Sequence, residues 1–153
     1  MAVMNNIVIE NARIIFRNFS GEASQYNAKG NRNFGVLINN EDASRLAADG
    51  WNIKYLRPKD PDEAPQAWLQ VKVSFGQVQP TVLLVTSKNK KKLDENSVDI
   101  LDWAELKQVD LIIRPYNWEV NGKTGTKAYL KSGYFTIQED EFSSRYEDIP
   151  YEG

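Results

Sequence analysis

The sequence predicts a mainly β protein. Short runs of alternating apolar and polar residues recur between clusters of turn residues, and only one segment carries a helical apolar stripe. Six to eight strands with one short helix favour a closed or partly open β-barrel. A five-stranded Greek-key barrel of the OB type fits the size, given a long β-hairpin extension, one short helix and an acidic C-terminal tail. A β-sandwich fits the same strand count. The 153 residues suffice for one cored domain, here residues 1–138, followed by a tail at 139–153.

Taken in order, IVIENARIIFRNF reads as one strand or two short ones, with Ile7, Ile9, Ile14 and Phe16 as apolar anchors. SGEASQYNAKGN is a loop, and RNFGVLIN a strand. Asn40 suits the N-cap of EDASRLAAD, with early acids at the helix start and Gly50 at its end. WNIKYL is a strand beginning at Trp51, a core candidate. Pro58, Pro61 and Pro65 make the following segment an extended loop. In WLQVKVSF, Leu69, Val71 and Val73 point inward while Trp68, Lys72 and Ser74 point outward. TVLLVT reads as a buried strand, SKNKKK as a mobile basic loop, and NSVDILDWAEL as a helical turn or two capped by Asn96 or Ser97.

Composition narrows the chemistry. The chain has no Cys and no His, which removes disulfides, thiol chemistry, the usual neutral-pH base and the commonest zinc ligand. Absence of Cys fits a reducing cytoplasm. No apolar run approaches the ~20 residues of a membrane helix, and the N-terminus has no signal-peptide core. The sequence therefore points to no enzyme, no metal and no cofactor, and to no membrane partner. Net charge is −2, unevenly spread: residues 139–153 carry −5 and residues 1–138 carry +3. An acidic tail on a basic body is an interaction segment, a competitor for the body's binding face, or a solubilising end.

The most informative stretch runs from Val109 to Lys131. Strand parity puts Arg114, Tyr116 and Trp118 on one side, opposite Val109, Leu111 and Ile113. On the return strand Lys127, Tyr129 and Lys131 align. A two-residue turn at Asn121-Gly122 and a four-residue turn ending at Thr124 both bring the two rows to one face, with Lys123 at the tip. Interleaved cations and rings suit single-stranded nucleic acid, which offers phosphates and flat bases. Cross-strand aromatic pairs also stabilise a sheet without any ligand. Arg32, Phe34 and Gly35 fit the basic-aromatic-glycine strand motif of RNA-recognition and cold-shock proteins, although Phe34 shares parity with apolar Val36 and Ile38 and reads equally as core. Gly122-Lys123-Thr124 is no P-loop, because Asn117 stands where a glycine is needed. Asp60, Asp62 and Glu63 lie in the Pro-rich loop, and Gln70 replaces the carboxylate a nuclease signature would need.

These segments together resemble the single-stranded DNA-binding proteins of tailed bacteriophages. The resemblance rests on GNRNFGVLI (30–38), DGWNIK (49–54), VDLIIRPYNW (109–118), KAYLK (127–131) and the acidic end. It implies an OB-type fold that coats single strands in the host cytoplasm and recruits replication or recombination proteins. Phosphates are expected at Arg32, Lys54, Lys72, Arg114, Lys123, Lys127 and Lys131, and bases at Tyr116, Trp118, Tyr129 and Trp68, with Phe34 as a further candidate. The tail residues Glu147, Asp148, Ile149 and Tyr151 would dock partners, but bacterial counterparts end in Phe, whereas here Tyr151 stands two residues before the terminus. A homodimer is compatible with these residues. The rival readings are a phage structural or assembly β-protein, whose aromatic face packs on another subunit, and a metal-dependent nuclease.

Overall fold

The computed structural model describes residues 5–137, so the acidic tail and its four docking candidates lie outside the described residues. In chain order the elements are β1 (Ile7–Ile9), β2 (Ile14–Asn18), β3 (Arg32–Ile38), α1 (Asn40–Ala48), β4 (Ile53–Leu56), β5 (Gln66–Val73), β6 (Thr81–Val85) and β7 (Lys90–Leu93). A 3₁₀ turn (Val98–Asp102), β8 (Leu106–Val120) and β9 (Lys123–Ile137) complete them. Nine strands among the described residues exceed the six to eight expected. The opening run divides in two, and the supposed basic loop supplies a strand.

The opening run breaks at Asn11, whose φ of 51° is left-handed, a conformation that asparagine tolerates better than most residues. The Asn11 N–H donates to Asp110 Oδ1 and the Ala12 N–H to the Val109 carbonyl, which keeps the break against β8. Hence β1 pairs with β8, and β2 crosses to β3. The sheet runs β1-β8-β9-β5-β3-β2, so its two ends belong to successive strands of the chain.

β5 lies at the centre. It pairs with β3 along its length, with β4 over its first half, and with β9 in parallel at Val71 and Lys72. Its inward residues Ala67, Leu69, Val71 and Val73 meet Phe34, Val36, Leu111, Ile113 and Leu130 in one core. Phe19 joins that core, stacked on Phe34 at 5.1 Å and edge-on to Phe135 at 5.6 Å.

Several local expectations need correction. The helix cap is Asn39, not Asn40: its backbone is extended and its Oδ1 accepts the Asp42 N–H at 2.8 Å. Lys90, Lys91 and Lys92 are not loop residues, because β7 pairs antiparallel with β6. Residues 98–102 form a 3₁₀ turn without a side-chain cap; the Ser97 hydroxyl bonds Asp94 instead. Phe16 is no core anchor and stays 59% exposed, because a bulge between Ile15 and Asn18 reverses its parity.

Candidate nucleic-acid interface

Burial of one face of β5 fixes the other. With Leu69, Val71 and Val73 inward, Trp68, Gln70 and Lys72 must point outward. Register then carries this outer face across the sheet. Lys54 of β4 sits opposite Trp68, and Gly35 of β3 lies beneath the Trp68 ring. Lys72 pairs with Tyr129, Tyr129 with Arg114, Lys127 with Tyr116, and Gly125 with Trp118. The two hairpin rows therefore share one face, continuous with that of β5.

The hairpin turn has two residues, Asn121 (φ 52°) and Gly122 (φ 79°). Positive φ at both positions is the primed geometry that matches strand twist, and Asn-Gly is its preferred sequence. Lys123 follows on the parity of Gly125 and Lys127. Near the tip, the Trp118 ring covers Gly125 so closely that a Cβ there would lie 2.6 Å from it.

The rings and cations touch. The Arg114 guanidinium lies 4.8 Å from the Tyr129 ring centre, and Tyr116 meets Tyr129 edge-on at 5.8 Å. Lys54 Nζ lies 5.3 Å from the Trp68 ring and donates to Gln70 Oε1 at 3.4 Å. Partial burial, then the charges of Lys127 and Lys54, hold the Lys72 ammonium below the ordinary lysine range. Outward positions of β3, β4, β5 and the hairpin from Arg114 to Tyr129 carry no Asp or Glu. Three lysines thus converge without an opposing carboxylate, and a polyanion is the ligand that relieves such a cluster.

Not every expected residue joins this face. Phe34 does not: it is fully buried against Phe19, so no base can reach it, and its motif-like position reflects packing. Arg32 shares Phe34's parity and turns to the end of the sheet. There its Nη2 donates to the Glu95 carbonyl at 3.1 Å, and the guanidinium lies 5.7 Å from the Phe75 ring. It lines a groove of about 390 Å³ with Lys72, Tyr129 and Gln70, so it borders the face without lying on it. Lys131 is exposed at a bulge where Ile113 pairs with Leu130 but Ile112 with Ser132. The bulge resets strand parity, burying Phe135 and turning Tyr134 outward. Trp51 is core and Trp103 is largely exposed. Asp60 Oδ1 accepts the Asp62 N–H at 3.0 Å, and both carboxylates stay exposed in the Pro-rich loop.

A family model described as "Putative phage ssDNA-binding domain" matches residues 1–153. The chain belongs to this phage ssDNA-binding family. Its OB-like fold is similar to that of the single-stranded DNA-binding protein of bacteriophage Enc34. The C-terminally truncated form of that protein aligns over 88% of this chain and 87% of its own, at a TM-score of 0.55 and 13% identity. The same Enc34 protein in complex with ssDNA aligns over 90% and 89%, again at 0.55 and 13%. The single-stranded DNA-binding protein gp2.5 of bacteriophage T7 aligns over 97% and 98%, at a TM-score of 0.42 and 12% identity. No curated protein sequence matches this phage ssDNA-binding family member.

Proposed function

We propose that the protein binds and protects single-stranded DNA with little sequence preference during phage DNA replication and recombination, without catalysing a reaction. One observation carries this reading: Lys54, Lys72 and Lys127 converge, unopposed by acids, beside the rings of Trp68, Tyr129, Tyr116 and Trp118. Phosphates meet the lysines and Arg114, with Lys123 and Lys131 at the margins, while bases stack on the rings. Stacking is sequence-tolerant because every base has a flat face. The ssDNA complex of the similarly folded Enc34 protein supports the same ligand class here.

The acidic tail, with Glu147, Asp148, Ile149 and Tyr151, would recruit replication or recombination proteins or compete with DNA for the basic face. A dimer is a further proposal, tested by light scattering. The reading as a whole is tested by fluorescence anisotropy with a labelled oligothymidylate. The double variant Tyr116→Ala/Trp118→Ala should weaken binding about thirtyfold or more, since each stacked base contributes ~1–3 kcal/mol. Unchanged affinity would remove the hairpin from the interface.

A further inference from the structure

Phe16 has the least expected backbone on this face. It sits in the bulge of β2 with φ at 51°, a left-handed conformation that is unfavourable for a bulky side chain. Strain of this kind persists only where surrounding structure enforces it, and it concentrates at functional sites. Here the enforcement is visible. The neighbouring Arg17 guanidinium donates to the Leu101 and Ala104 carbonyls at 3.1 and 2.7 Å, and the Asp102 carboxylate accepts the Phe19 and Ser20 N–H groups. The 3₁₀ turn and the residue pair after it thereby hold the chain within and just past the bulge.

That anchoring holds an apolar ring out in solvent. Phe16 is 59% exposed and meets the Trp68 ring edge-on at 5.1 Å. Trp68 covers Gly35, where a Cβ would come within 2.8 Å of the ring, and Lys54 flanks it. Ordinary burial accounts for neither the strain nor the exposure.

We infer that Phe16, Trp68 and Lys54 form a second base-stacking platform, distinct from the hairpin rings, that holds another nucleotide of the same bound strand. This rests on the single-strand reading above and extends it to Phe16, which that reading does not use. Trp68 lies four residues from Lys72, whose register partner is Tyr129, a separation of roughly 13 Å along the strand at about 3.3 Å per residue. One base cannot bridge that span, so the two platforms engage different nucleotides. The lysine cluster links them, with Lys54 at one platform and Lys72 and Lys127 at the other, and takes the intervening phosphates. On its other side Phe16 borders a separate groove lined by Glu22, Asp99 and Asp102 beside Arg17, a lining that disfavours further phosphates.

The test uses the full chain and oligothymidylates of increasing length. Phe16→Gly removes the ring and relieves the left-handed backbone, so its melting temperature should match or exceed the parent's. Its affinity for a long oligonucleotide should fall about 5- to 150-fold, the equivalent of one stacked base. Its affinity should also stop rising at a shorter length than the parent's. Phe16→Trp should restore both. If Phe16→Gly binds long oligonucleotides as the parent does while Tyr116→Ala/Trp118→Ala binds weakly, the second platform is wrong and the hairpin reading stands. If neither variant changes binding, both readings are wrong.

Discussion

Lys72 concentrates the electrostatics of the face in one side chain. Burial and two neighbouring lysines disfavour its charged form, so its folded value lies below that of the unfolded chain. A charged Lys72 therefore opposes folding at neutral pH; stability rises as pH climbs through the depressed value and levels off at the unfolded one. Bound phosphate has the opposite effect, favouring the ammonium. The complex should take up a proton where free Lys72 is neutral, and affinity should fall as pH rises through the depressed Lys72 value. Binding titrations across that range test this, and Lys72→Arg should flatten the early part of the fall because guanidinium stays charged. Phe34 presents the contrasting case. Its parity with Val36 and Ile38 was legible as core, and its place in a basic-aromatic-glycine motif was legible as binding; full burial decides for core. Phe34→Ala should cost about 3–5 kcal/mol in a urea melt, the usual range for emptying a buried aromatic site.

At the scale of elements, the hairpin was readable because its information is local. Asn-Gly flanked by alternating residues specifies turn, register and face together, and the register found is the two-residue one. Two glycines there have separable roles. A Cβ at Gly122 would meet nothing, so Gly122→Ala should cost only the conformational term of a left-handed residue, about 1–2 kcal/mol in chemical denaturation. A Cβ at Gly125 would collide with Trp118, so Gly125→Ala should displace that ring and weaken oligonucleotide binding severalfold. The basic segment at 90–92 was not readable. Lysine runs favour solvated loops by composition, and only the apolar partner strand β6 draws them into a ladder.

Over the whole molecule the balance is between a basic face and an acidic tail. If Lys54, Lys72, Arg114, Lys123 and Lys127 each neutralise one phosphate, log K should fall against log salt with a slope of about −3.5. Deleting residues 139–153 removes a net −5 from a chain whose remainder carries +3, and should tighten binding at low salt with the gain vanishing as salt rises. Equal affinity with and without the tail at low salt would exclude competition. The amino-acid sequence alone determined which side of each regular strand is apolar, and hence that rings and cations of the hairpin lie together, because parity is a property of the backbone itself. Only the tertiary structure decided that this face runs on through β5 to Lys54 and Trp68, that Phe34 is buried, and that Phe16 turns outward. Those outcomes depend on register between strands distant in the chain and on bulges within them. A one-residue slip inverts a strand's faces, and only the packed sheet selects among the alternatives.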